Sequence, residues 1–153
     1  MAYHDDLIQH AIFLAELGLP DEPKQVELRR AVSAAYYSLF HLLTTEAAQN
    51  WKHPSQRDRF ARLFDHGRMK SCSSKVASRV ILVEPAEVPN AADLKLVAES
   101  FVTLRRLGTL PITTTQRSGR ERTFTRSLSW QRMRERPGRR FVKTRSPRII
   151  CLT

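Results

Sequence analysis

The feature that most restricts the fold of this chain is a long stretch in which apolar residues recur at helical spacing. The stretch lies between Pro23 and Pro54, and Asp21 can cap its first turn. We expect one helix that runs to about Asn50. Its apolar residues share one face: Leu28, Val32, Ala35, Leu39 and Leu43. A helix of this length buries that face only against other helices, so the sequence predicts an all-α fold.

Three further helical patterns supply the elements that would cover this face. The first contains apolar residues over 7–15 and ends before Gly18, and the third covers roughly 56–80, with Gly67 as a point of interruption. Asn90 can cap the fourth helix. Apolar residues recur along that helix: Leu94, Val97, Ala98, Phe101 and Leu104. Four helices joined by short connections predict an antiparallel four-helix bundle.

A second face of the long helix carries polar and aromatic side chains. Arg30, Tyr37 and His41 are spaced by seven and four residues. A rotation of about 100° per residue places them in one row, opposite the apolar face. The row is either a solvated face with its tyrosine packed on a neighbour, or a binding or dimer surface. Spacing alone does not choose between these two interpretations.

The residues of the long helix also match a known pattern. Seven positions agree with the second helix of HEPN-domain proteins: Ala31, Ser33, Ala35, Tyr36, Tyr37, Phe40 and His41. The first helix and the segment FDHGRMK at 64–70 are also similar, so the resemblance covers about residues 3–108. It implies a four-helix bundle of HEPN type that often dimerises. Many members of that family are metal-independent ribonucleases or toxin components, and others are non-catalytic proteins that bind RNA or nucleotides.

The resemblance also implies a site. Active members carry an arginine, a short spacer and a histidine. Arg59 and His66, separated by six residues, fit the upper limit of that spacing, with Phe60 where a polar residue is usual. In these roles a neutral imidazole takes the proton of an RNA 2′-hydroxyl, and a guanidinium stabilises the charge on the phosphorane. The residues implied to line the RNA path are Arg30, Tyr37, His41 and Lys70.

The formal net charge of +11 is concentrated at the end of the chain. Residues 1–108 hold 14 lysines and arginines against 13 aspartates and glutamates, whereas residues 109–153 hold 12 against 2. We therefore divide the chain into a HEPN-like helical bundle at 1–108 and an Arg-rich tail, irregular or disordered, at 109–153. A basic arm of this kind binds nucleic acid through its phosphates.

The tail has a second interpretation, in which it is the product of a shifted reading frame near codon 108. Arginine and threonine are in excess, acidic residues are nearly absent, and an apolar IICL stretch lies near the end. The codons allowed from Thr109 onward, read from their third base, permit a string with a normal acid–base balance that contains Asp-Tyr-Asp. That string resembles the segment that HEPN relatives place after this helix. Both interpretations stay open.

The function expected from these patterns is a HEPN-like module that binds RNA, a nucleotide or a partner protein. The alternatives are a metal-independent ribonuclease of toxin–antitoxin type and a nucleic-acid binder that uses the basic arm, so enzymatic activity is left open. We expect no cofactor, because Cys72 and Cys151 are far apart and the histidines lack the spacing of metal ligands. The expected partners are RNA or a nucleotide, a cognate antitoxin or partner protein, and a second copy in a homodimer.

The sequence further predicts a cytoplasmic protein that does not enter a membrane. No run of about 18 apolar residues is present. The first ten residues, MAYHDDLIQH, lack the basic segment and the apolar segment of a secretory signal. Two cysteines without a pairing pattern fit a reducing compartment.

Overall fold

A computed structural model describes residues 2–17, 24–78, 91–109, 123–128 and 131. In these ranges the chain forms the helices α1 (Tyr3–Glu16), α2 (Gln25–Gln49), α3 (Arg57–Ala61), α4 (His66–Ala77) and α5 (Ala91–Thr109). A turn of 3₁₀-helix at Pro54–Gln56 precedes α3, and residues 123–127 form a short helical segment. The described residues contain no strand, which confirms the all-α prediction. None of their helices is both long enough and apolar enough to cross a membrane.

The core lies where α2 packs against α1 and α5. Small side chains line much of this contact and let the helix axes approach closely: Ala11, Ala31, Ala34 and Ala35. Larger apolar side chains fill the space between the helices: Ile8, Leu14, Leu39, Leu42, Val97, Phe101, Leu104 and Leu107. Helix α4 packs against α5, but it contains no buried residue, and Met69 reaches the core only in part.

The buried face of α2 is rotated from the face that its apolar pattern predicts. Ala35 and Leu39 are buried as expected, whereas Val32 and Leu43 are only half-buried. Ser38 is buried instead, because its hydroxyl donates a hydrogen bond of 2.6 Å to the carbonyl oxygen of His4 in α1. The hydrogen bond satisfies the buried hydroxyl, so a polar residue occupies the α1–α2 contact at little cost.

The prediction of one helix over 56–80 is wrong. Helix α3 ends at Ala61 and α4 begins at His66, so the chain breaks before Gly67 rather than at it. Asp65 causes the break, because its carboxylate accepts hydrogen bonds from the first free backbone N–H groups of α4. Phe60 of α3 is buried and stacks on Trp51, with ring centroids 4.4 Å apart. The stacking of Phe60 on Trp51 therefore fixes α3 against the segment that follows α2.

The remaining helix ends agree with the sequence pattern where the structure describes them. Helix α1 stops before Gly18 and α2 stops next to Asn50, as predicted. The predicted caps at Asp21 and Asn90 lie outside the described residues. Part of the basic tail is described, and there Phe124 is only 4% exposed and belongs to the hydrophobic core. The core thus includes a side chain from beyond Gly108.

Substitution of Phe124 tests this contribution. We expect Phe124→Ala to lower the free energy of unfolding by about 3–5 kcal/mol, because it leaves a cavity in the core. Phe13→Ala is the matched control, since Phe13 is 58% exposed and its removal should change the free energy of unfolding by no more than about 0.5 kcal/mol. Urea denaturation followed by circular dichroism measures both. Equal effects of the two substitutions would show that Phe124 does not stabilise the core.

Candidate functional site

Three helices bring together side chains that are far apart in the sequence. The hydroxyl of Tyr36 in α2 lies 2.7 Å from Nδ1 of His66, the first residue of α4. Nη1 of Arg105 in α5 donates a hydrogen bond of 3.1 Å to the same hydroxyl oxygen. We call Tyr36, His66 and Arg105 the Tyr–His–Arg cluster. It joins a phenol, an imidazole and a guanidinium through one shared oxygen atom.

The two hydrogen bonds restrict where the protons of the cluster lie. Arginine has no acceptor atom, so the phenol oxygen must accept from Arg105. The phenol oxygen can accept a second hydrogen bond, so either the phenol donates its proton to Nδ1 of His66 or, in the other tautomer, Nδ1–H donates to the phenol oxygen. Either arrangement holds the imidazole ring in one orientation and leaves Nε2 for a ligand, as a donor in the first tautomer and as an acceptor in the second.

Asp65 determines where His66 stands. Its Oδ1 accepts hydrogen bonds from the backbone N–H of Gly67 at 2.8 Å and of Arg68 at 2.9 Å. The hydrogen bond from the backbone of Arg68, together with that from Gly67 and the charges of Arg68 and His66, holds the pKa of Asp65 below its usual value against the opposing effect of desolvation. This N-cap makes His66 the first residue of α4 and directs it toward α2.

Aromatic rings surround the imidazole of His66. The ring of Phe40 lies 4.1 Å from it between centroids, and the ring of Tyr37 lies 5.7 Å away with its edge toward the imidazole. Tyr36 continues the contact inward to the buried Phe101 at 5.2 Å. Helix α2 presents Tyr36 and Phe40 on one side because they are four residues apart. The cluster therefore has an apolar floor and an open rim.

The rim consists of Tyr3, Tyr37 and His41, which we call the aromatic rim. Tyr37 is 46% exposed and Tyr3 is 63% exposed, and both rings contact His41. Burial lowers the pKa of His41, and the neighbouring His66 lowers it further through charge repulsion. The pKa of Tyr36 is raised, because burial disfavours the phenolate more strongly than the Arg105 guanidinium stabilises it. The site therefore favours neutral phenol and imidazole groups beside an arginine.

The structure separates the two residues that the resemblance pairs as catalytic. Arg59 is exposed on α3, whereas His66 begins α4, and the break between these helices removes the single helical face on which both would lie. Within the described ranges Arg59 forms no hydrogen bond or ion pair. Arg105 is the arginine that stands beside His66 through Tyr36.

Of the four residues predicted to bind nucleic acid, two lie at the rim of the cluster and two lie elsewhere on α2 and α4. Tyr37 and His41 belong to the aromatic rim. Arg30 is exposed on α2, two turns before Tyr37, and within the described residues it forms no side-chain hydrogen bond or ion pair with the cluster. Lys70 is exposed on α4, one turn after His66, and lines a shallow groove with Lys75 and three serines. The roles of these residues stay predictions.

Tyr36 and Arg105 are the site residues that sequence reasoning missed. Tyr36 and Arg105 are 69 residues apart, so no local spacing connects them. From the sequence Tyr36 is named only as one of the seven positions that match the HEPN pattern, and its polar end is the one available signal, since a half-buried tyrosine hydroxyl requires a partner. In the described residues no group of three histidine, cysteine, aspartate or glutamate side chains is placed to hold a metal ion.

Comparison with known proteins yields no relative. The chain matches no protein-family model, no curated protein and no solved structure at a significant level. The candidate site is therefore argued from the contacts of this chain alone.

Removal of the Tyr36 hydroxyl tests the cluster. We expect Tyr36→Phe to lower the free energy of unfolding by about 1–2 kcal/mol, because it removes two hydrogen bonds between helices. Tyr37→Phe is the matched control, since the Tyr37 hydroxyl forms no hydrogen bond in the described part of the chain. Denaturant unfolding measures both variants, and equal stability of the two would contradict the proposed contacts.

The Tyr36→Phe variant should also differ from the wild type in the ultraviolet titration of its tyrosines. The raised pKa of Tyr36 means that the unfolded chain releases the phenol proton first. The stabilising contribution is then complete below about pH 10 and is lost as the pH rises through the higher folded pKa. Ultraviolet titration of the folded wild type should show one phenol that ionises late. That component should vanish in Tyr36→Phe and remain in Tyr37→Phe.

His41 gives a pH dependence of opposite direction. Its lowered folded pKa means that the unfolded chain takes up the proton first as the pH falls. The contribution of His41 to stability is therefore complete above pH 6.5 and is lost as the pH falls through its folded pKa. Nuclear magnetic resonance titration of the imidazole C–H signal should place the His41 pKa below 6.5. A midpoint at or above that value would contradict the buried, repelled environment.

Proposed function

We propose that this chain is a HEPN-like four-helix module that binds RNA at the Tyr–His–Arg cluster. The observation that carries the proposal is the shared Tyr36 hydroxyl, which holds an arginine and a histidine together at an open, aromatic-lined position. The match of the α2 residues to the HEPN pattern supports the same assignment. The fold contributes an all-α scaffold in which α2 contacts both α1 and α5.

Within the described residues, no acidic side chain forms an ion pair with the guanidinium of the cluster. Arg105 is half-buried, and the only polar partner of its guanidinium in this part of the chain is the phenol of Tyr36. A guanidinium has five N–H donors, so most of its donors stay free for a ligand. In the tautomer whose Nδ1 accepts from Tyr36, Nε2–H of His66 adds a further donor. Donors of this kind around one point match the oxygens of a phosphate diester.

The aromatic rim adds a surface for bases. Tyr37 is 46% exposed and lies beside His66, and Tyr3 is 63% exposed and joins the rim through His41. Exposed aromatic rings stack on unpaired bases, which duplex nucleic acid does not offer. Arg30 is exposed on α2 and Lys70 on α4, and both would attract the phosphate backbone of the RNA. RNA with unpaired bases is thus the ligand that this combination suits best.

A second candidate function is metal-independent cleavage of that RNA. The hydrogen bond between Tyr36 and His66 favours it, because in the tautomer whose Nδ1–H donates to the phenol oxygen the ring is held with the lone pair of Nε2 available as a base. In such a step the 2′-oxygen attacks phosphorus, its proton passes to His66, and the 5′-oxygen leaves with a returned proton. The products are a 2′,3′-cyclic phosphate and a 5′-hydroxyl. Arg105, rather than Arg59, would stabilise the phosphorane charge.

A homodimer and a complex with a partner protein are further proposals. A homodimer would place two clusters near one RNA, and a cognate antitoxin or partner protein would cover the aromatic rim. Neither proposal rests on a contact in this single chain. Both are therefore independent of the binding test that follows.

Binding of a fluorescent single-stranded RNA to the full chain tests the proposal. We expect Arg105→Gln to weaken binding about tenfold or more, because it removes the charge at the cluster. Arg29→Gln removes an exposed arginine from α2 outside the cluster and should change the affinity by no more than about threefold. Unchanged binding in Arg105→Gln would overturn the proposal and indicate another surface, such as the basic arm.

Cleavage is tested on the same RNA in the presence of a chelator. We expect a product with a cyclic phosphate end from the wild type and none from His66→Ala. Arg59→Gln is expected to cleave like the wild type and Arg105→Gln to lose cleavage, since Arg105 is bonded to Tyr36 and Arg59 is exposed on α3. If the RNA binds but stays intact, the proposed binding function is retained and the proposed catalytic function is rejected.

A further inference from the structure

A cavity lined by two arginines lies beside α5, away from the Tyr–His–Arg cluster. It has a volume of 380 Å³ and is bounded by α5 and the helical segment at 123–127. On α5 it is lined by one face of the helix, at Glu99, Thr103 and Arg106, which follow each other at four and three residues. The short segment contributes Arg126 and Ser127. Two helical faces rich in polar groups thus enclose one space.

The cavity is lined by two arginine side chains that have no acidic partner among the described residues. Arg106 and Arg126 are both exposed, and the guanidinium of neither forms a hydrogen bond or an ion pair with a described residue. Glu99 lines the same cavity, but its carboxylate is already 3.5 Å from the ammonium of Lys95. Two guanidinium groups therefore face a space in which the carboxylate already has a lysine partner.

The hydroxyl groups around the cavity offer further hydrogen-bonding positions to a ligand. Ser127 donates its proton to the carbonyl oxygen of Thr123 at 2.7 Å, which fixes its oxygen as an acceptor. Thr103 presents a further hydroxyl from α5. Guanidinium and hydroxyl donors together recognise phosphate oxygens, while carboxylate and hydroxyl acceptors can bind the hydroxyl or amino groups of the same ligand.

We propose that this cavity binds a phosphate-bearing ligand of nucleotide size, with Arg106 and Arg126 on its phosphate. Small-molecule sites usually have volumes of about 300–1,000 Å³, so the cavity fits one nucleotide unit. The site is distinct from the Tyr–His–Arg cluster. Arg105 and Arg106 are adjacent on α5 and so point about 100° apart. The unit can be a free mononucleotide or one residue of an RNA strand, which present the same phosphate chemistry.

Calorimetric titration of the full chain with adenosine monophosphate tests the proposal. We expect binding of the wild type, and an affinity about tenfold weaker or more in both Arg106→Gln and Arg126→Gln. Arg126→Lys should lose less, because it keeps the charge and loses only the paired N–H donors. Arg29→Gln is the control, since it removes an equal charge from a distant exposed position on α2.

Titration with a single-stranded RNA identifies the source of the phosphate. If the two cavity variants weaken RNA binding but the monophosphate does not bind, the cavity holds a backbone phosphate. If the monophosphate binds and both variants weaken it, the ligand is a free nucleotide. Wild-type affinity for both probes in both variants, or no binding of either probe at about 10 mM, would overturn the proposal. The Arg105→Gln result is measured separately, so failure of the cluster and failure of the cavity are distinguishable.

Discussion

The hydroxyl of Tyr36 is the atom through which three helices of this protein are joined. Helix α4 contains no buried residue, so apolar burial contributes little to its position. What fixes its first turn is the cap at Asp65 and the contact of His66 with Tyr36 and Phe40. Arg105 ties the same hydroxyl to α5. The placement of α4 thus depends on polar contacts, whereas the placement of α1 and α5 depends on the apolar core.

This division explains why the candidate site stands at the edge of the core. A phenol, an imidazole and a guanidinium cost free energy when buried without partners, and here each supplies a partner for the next. Phe40 and Phe101 exclude water from the inner side of the rings, while Tyr37 stays exposed. Helices α2, α4 and α5 hold the three side chains of the cluster, which is open on the side of Tyr37. Such a half-open polar cluster has more donors than the protein itself uses, which is the property that a ligand site requires.

The sequence predicted the parts of this structure that depend on local spacing. The all-α class, the extent of α1 and the end of α2 follow from apolar periodicity and from the breaks at Gly18 and Asn50. The division of 56–80 into α3 and α4 was missed, because the aspartate cap at Asp65 outweighs the apolar pattern that continues through it. The pairing of Tyr36 with Arg105 could not be predicted, since it requires the relative position of α2 and α5. The predicted row of Arg30, Tyr37 and His41 lies on the same helix as Tyr36, and two of its residues, Tyr37 and His41, belong to the aromatic rim.

The tail shows why composition alone does not define the boundary of a core. Residues 109–153 carry most of the net charge, and that composition predicts a segment without packing. Yet Phe124, Ser127 and Leu128 follow at the spacing of one helical turn, and this local pattern puts Phe124 in the core and Leu128 against it. The charged Arg126 lies on the outer side of the same turn. Among the described residues, one short amphipathic turn of the basic tail thus adds an aromatic side chain to the core beside α5.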